Sequence, residues 1–164
     1  MRLRLVETLK ESMAFQGLIS SYQRHLLEIA GASGPDYLGI KKALSIILQH
    51  EKAEELASIY FVEQELEKLL DSNPPTIDQD TLTEEFRQKA DRLLQTFLFF
   101  DSKEKEEISK QLPILSLSSI KQFINLLHEG HHKQENYLKI MAEKDPHTAI
   151  KFDLIMSEKV SSQN

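Results

Sequence analysis

Phe15, Leu18, Ile19, Tyr22, Leu26 and Ile29 recur at three- and four-residue spacing, and the same period returns in every later segment of the chain. That spacing puts apolar side chains on one stripe of a 3.6-residue helix. No stretch alternates convincingly at period two, which is what a half-buried strand needs, so essentially no sheet is expected. Punctuation agrees with this: only five glycines and five prolines interrupt 164 residues. The period therefore restricts the chain to helix packed on helix.

The interruptions divide the chain. A first helical segment runs to about Ala30, where "GASGPD" stops it. Upstream, Leu5, Leu9 and Met13 fall on a different face, so the N-terminal arm is expected to pack elsewhere or on a partner. A second segment, about Asp36 to Asp71, carries Tyr37, Ile40, Leu44, Ile47, Leu48, Ile59, Val62, Leu66 and Leu69. Unbroken, it would span on the order of 50 Å. "DSNPPTIDQD" ends it with a polar, proline-rich linker.

Thr81 with Glu84 has capping-box spacing and predicts the start of a third helix bearing Leu82, Phe86, Leu93, Phe97 and Phe100. Asp101 with Glu104 repeats the signal before a short charged helix, "DSKEKEEISK", that stops near "QLP". Ser116 or Ser119 then caps a long helix with Ile120, Phe123, Ile124, Leu127, Leu138 and Met141 on one side. Asp145 and Pro146 predict a last helix with Ile150, Phe152, Leu154 and Ile155. The expectation is all-α: an antiparallel bundle of five to six helices, two of them long, with a C-terminal helical hairpin. Residues 1–164 read as one helical domain, with a possible division into 1–72 and 81–158 joined by the linker 73–80.

Composition narrows the function classes. With no cysteine, disulfides, thiolate metal sites and cysteine nucleophiles are excluded, and a reducing compartment, by default the cytoplasm, is expected. The net charge of -6 disfavours nucleic acid as a partner. No segment approaches the roughly 18 apolar residues of a membrane span. "MRLRLVETLKESM" is interrupted by Glu7 and Glu11 and does not read as a targeting peptide. There is no glycine-rich phosphate loop and no serine nucleophile elbow, so no catalytic residue is assigned.

One stretch carries chemistry in its spelling. "LLHEGHHKQE", residues 126 to 135, contains His128-Glu129-x-x-His132, the spacing by which zinc peptidases present two imidazole ligands and a general base. With Glu135 as a third ligand, His128 and His132 form a candidate zinc or iron site. The surroundings disagree: Lys133 and Gln134 follow where apolar residues are usual, and no substrate-aligning strand is expected. A di-iron carboxylate bundle would need Glu-x-x-His twice, and Glu129 with His132 supplies it once. The apolar face instead predicts that His131, four residues after Leu127 and seven before Leu138, points inward. His128 is placed at the edge of that face and His132 further out.

Two further features invite a reading. Glu51 and Glu55 fall inside the second segment's apolar stripe, where buried carboxylates are costly unless paired; they either meet His131 and Glu135 or mark where the helix becomes solvated. "QTFLFF" holds more large apolar side chains than one face can bury, and serves either the core or a partner. The functional expectation is a non-enzymatic protein-interaction module, an adaptor, chaperone-like factor or assembly subunit, whose partner is another protein or a second copy of itself. The alternative is a metal-binding helical protein, with zinc or iron and a possible hydrolase activity, using the His-Glu-x-x-His stretch.

Overall fold

The computed structural model describes residues 2–144. It is all-helical, with eight α-helices, two 3-10 turns and no strand among the described residues. None of these helices is long and apolar enough to cross a membrane. The last helix expected from Asp145 onward, with Ile150, Phe152, Leu154 and Ile155, lies outside the described residues. The chain divides into two compact units, Met1–Glu85 and Phe86–Asn164.

In the first unit, the expected first helix is three: α1 (Arg2–Glu11), α2 (Met13–Gln16) and α3 (Ser20–Gly31). Ser12 breaks the chain in extended conformation and its hydroxyl accepts the Phe15 N–H at 3.1 Å, capping α2. A second break falls at Ile19, also extended. These two turns explain why the N-terminal apolar residues fall on another face: α1 packs against α3 and buries Leu9 completely, alongside Phe15, Leu18, Tyr22, Leu26 and Ile29. Tyr22 is enclosed on α3, and burial, then the charges of Asp71 and Glu67, push its hydroxyl above its ordinary range. At the next stop, Gly34 adopts φ 138°, a conformation open to glycine, and Pro35 starts a 3-10 turn.

The second segment, about Asp36 to Asp71, is two helices, α4 (Leu38–Gln49) and α5 (Leu56–Ser72), packed on each other. The two glutamates mark the break. Glu51 turns away from any stripe and accepts the Ala14 N–H at 2.7 Å, satisfying a free donor at the start of α2. Glu55 is the extended residue before α5, and Ser58 binds both N–H and C=O of Lys52 at 2.9 Å to fix the turn. A carboxylate that can bond a helix N-terminus is better placed in a turn than in an apolar stripe.

α6 (Gln79–Gln95) starts earlier than Thr81 and Glu84 predict. Its cap is Asp78, whose two carboxylate oxygens accept the Thr81 N–H and hydroxyl, each at 2.8 Å. Those bonds hold the Asp78 carboxyl below its ordinary range. In the second unit, Phe86, Ala90 and Leu94 bury the inner face of α6. α7 (Ser102–Gln111) opens with the expected Asp101–Glu104 capping box. It ends in a 3-10 turn whose Leu112 and Pro113 carbonyls accept from Arg87 at 3.1 and 3.3 Å. α8 (Leu117–Lys144) begins where Ser116 Oγ accepts the Ser119 N–H at 3.2 Å. Leu94, Phe97 and Leu127 form a core cluster, with Leu93, Phe100, Ile108 and Phe123 packed around it.

Candidate functional site

A helix leaves its last four carbonyls without intrahelical donors, and the C-terminal end of α6 shows where those carbonyls go. The Leu94 carbonyl accepts the Phe97 N–H at 3.1 Å, and the Gln95 carbonyl accepts Lys105 Nζ at 3.1 Å. Leu93 is served from α8: His131 Nε2 lies 3.0 Å from its oxygen, and the Thr96 hydroxyl donates to the same oxygen at 3.0 Å. Gln134 completes the arrangement by accepting the Leu98 N–H at 2.7 Å. His131 and Gln134 are three residues apart and share one face of α8, so a single turn offers both a donor and an acceptor to the end of α6.

A carbonyl can only accept, so the proton of His131 sits on Nε2. That nitrogen is committed to Leu93 and has no lone pair to offer a metal. The ring is enclosed, 1% exposed, with Phe97 standing edge-on at 5.2 Å between centroids. Gly130 makes this approach possible. A Cβ there would lie 2.4 Å from Phe97 Cε2, so the phenyl ring rests directly on the α8 backbone. The glycine between Glu129 and His131 is therefore a packing requirement, held against a helix-propensity cost of roughly 1 kcal/mol.

The candidate metal ligands differ in their surroundings. His128 is buried, not at the edge of the face as the spacing suggests. His132 is half-buried, with Nε2 3.4 Å from Asn136 Nδ2 and Nδ1 enclosed without a hydrogen-bond partner. Glu135 is buried, with Oε1 3.2 Å from Lys139 Nζ and Oε2 enclosed without a hydrogen-bond partner. Glu129, the would-be general base, is exposed. Among the described residues no group of three or more His, Asp or Glu is placed to hold a metal ion. His25 repeats the role of His131 in the first unit, its Nε2 lying 2.9 Å from the Asn73 carbonyl at the end of α5. Glu51 and Glu55 lie in the turn between α4 and α5.

The opposite side of α8 inverts the usual pattern. Leu126, Tyr137 and Ile140 are 64%, 55% and 53% exposed. At 100° per residue they lie within roughly 60° of one another, and about 150° from the stripe of Ile124, Leu127, His131 and Glu135. "QTFLFF" is split between core and surface: Phe97 is buried, while Leu98 and Phe99 are about half exposed. Sequence reasoning read Gln134 only as a departure from the zinc-peptidase pattern, although its position seven residues after Leu127 marks the same inner face. It also passed over the outer stripe, since three apolar residues over 15 positions look sparse until the inner face is fixed. Compared with known proteins, the chain matches no family model, no curated protein and no solved structure.

Proposed function

We propose that this chain is a non-enzymatic helical protein-interaction module, an adaptor, chaperone-like factor or assembly subunit, and that the outer face of α8 is its contact surface. The observation that carries the reading is the exposed line of Leu126, Tyr137 and Ile140. Large apolar side chains gathered on one solvent face are the usual mark of a protein contact. The inner histidine and glutamine, by contrast, are occupied with the end of α6. In this reading the helices form an antiparallel bundle with α7 and α8 as a C-terminal hairpin, the protein acts in the cytoplasm, and neither nucleic acid nor membrane is a partner. The test is site-specific photocrosslinking in cells with a photoreactive phenylalanine in place of Tyr137. Protein crosslinks at 137, absent when the same group replaces exposed Glu107 of α7, support the reading. No protein crosslink at 137 overturns it.

A second reading has one specific observation in its favour. Nδ1 of His132 and Oε2 of Glu135 are enclosed without hydrogen-bond partners, a costly state that a cation or an ordered water would relieve. A zinc or iron ion held by these two with His128, and supporting hydrolysis, would do so. Elemental analysis of gel-filtered protein decides it: one equivalent per chain, lost in His132→Ala, establishes the site, and less than about a tenth of an equivalent removes it.

A further inference from the structure

We infer that the outer face of α8 pairs with the same face of a second copy of this chain, the two helices running antiparallel about a two-fold axis at Lys133. The inference rests on the reading of that face as a contact surface and names its occupant. An antiparallel pair centred on residue 133 sets each position against the one whose number sums with it to 266. Leu126 then opposes Ile140 of the second copy, and Ile140 opposes Leu126, so both ends of the contact are apolar. Glu129 opposes Tyr137, whose hydroxyl can donate to the carboxylate. At the axis the two Lys133 ammonium groups meet, each one turn from a Glu129 on its own helix and on the other.

This face is self-complementary in polarity and in charge. Between Leu126 and Ile140 its only charged residues are Glu129 and Lys133, which balance, whereas the chain as a whole carries -6. Nonspecific self-association is opposed by that net charge; a neutral stripe with apolar ends escapes the opposition. Both pairings bring Lys133 near Lys133, but a parallel one would also set Glu129 on Glu129, whereas the antiparallel one places each Glu129 one turn from the Lys133 of the other copy, so charge favours the antiparallel one. The stripe runs about 21 Å along the helix. One pair of helix faces of that length falls at the small end of specific interfaces, so a reversible dimer is expected, with a dissociation constant on the order of 10 to 100 μM.

The test is sedimentation equilibrium of the full chain from roughly 5 to 500 μM, spanning that affinity. Wild-type protein is expected to pass from monomer to dimer. Leu126→Glu and Ile140→Lys, each at an exposed position, are each expected to weaken the dimer at least tenfold. Mixed in equal amounts, they are expected to regain it, because the introduced carboxylate of one chain faces the introduced ammonium of the other. As an independent reading, Lys133→Cys places the only thiol of the molecule on the axis and is expected to form a disulfide-linked dimer under mild oxidation, whereas Gln111→Cys on α7 is not. Wild-type protein that stays monomeric throughout, a dimer untouched by either substitution, or a mixture that does not recover overturns the inference. If the chain is monomeric but crosslinks from position 137 to a different protein, this pairing fails while the interaction reading stands; no crosslink to any protein removes both.

Discussion

The two faces of α8 reverse the ordinary distribution of polarity. On the inner face His128, His131, Gln134 and Glu135 are buried among Ile124 and Leu127; on the outer face Leu126, Tyr137 and Ile140 stand in solvent. A buried polar group must return its desolvation cost through hydrogen bonds. His131 and Gln134 do so by completing the end of α6. An exposed apolar group makes no such return within the monomer. The difference teaches that His131 and Gln134 on the inner face are accounted for by the end of α6, while the apolar residues of the outer face have no such role within the described residues.

The comparison breaks first at stability. Replacing His131 by Ala removes the bond to the Leu93 carbonyl and leaves a cavity beside Phe97, at an expected loss of about 3 kcal/mol in denaturant unfolding followed by circular dichroism. Leu126→Ala should change the same measurement, made at low protein concentration, by less than about 0.5 kcal/mol. Equal losses at the two positions would abolish the distinction between the faces. Next comes the contact at Gly130. Gly130→Ala forces Phe97 off the α8 backbone and is expected to lose about 1 to 2 kcal/mol, the overpacking outweighing the gain in helix propensity. Combined with Phe97→Leu it should cost less than the sum of the two single changes, a coupling that a double-mutant cycle reads directly.

Gln134→Leu is a smaller test, expected at about 1 kcal/mol. Its specific signature is faster hydrogen exchange at the Leu98 amide, with the amides around Glu107 unchanged. The smallest effect belongs to the other end of α6, where the cap is an exposed carboxylate. Since the Asp78 pKa is lowered in the folded chain, its contribution is present above the ordinary value of 3.8 and is lost as pH falls through the depressed one. The difference in thermal midpoint between wild type and Asp78→Ala should therefore close at low pH, and it should shrink in high salt. A difference that persists through the acid range would show that the carboxylate charge is not what caps α6.

Much of this was legible in the residues before any coordinates. The period fixed the all-helical class, the Asp101–Glu104 box fell where expected, Ser116 proved to be the cap of the two serines considered, and the inward turn of His131 followed from its spacing to Leu127. What misled was punctuation without glycine or proline. Ser12 and Ile19 break the first segment, and Glu51 to Glu55 break the second; side-chain bonds to Phe15, Ala14 and Lys52 stabilise the turns at Ser12 and at Glu51 to Glu55, while Ile19 has no side-chain cap. The Ser12–Phe15 and Lys52–Ser58 bonds are local, three and six residues apart, but the Ala14–Glu51 bond spans 37 residues and depends on the tertiary fold. The burial of His128 was missed for a related reason: at the edge of a helical stripe, the neighbouring helix decides which residues are covered.

The central claim is that His131 and Gln134, on the inner face of α8, serve the end of α6. Its most direct test is nitrogen-15 NMR of histidine-labelled protein with and without one equivalent of zinc(II). The account predicts that His131 Nε2 shows a proton-bearing signal coupled to its own hydrogen in both conditions, as its bond to the Leu93 carbonyl requires. Loss of that proton-bearing signal on adding zinc, with a metal-bound nitrogen in its place, would contradict it.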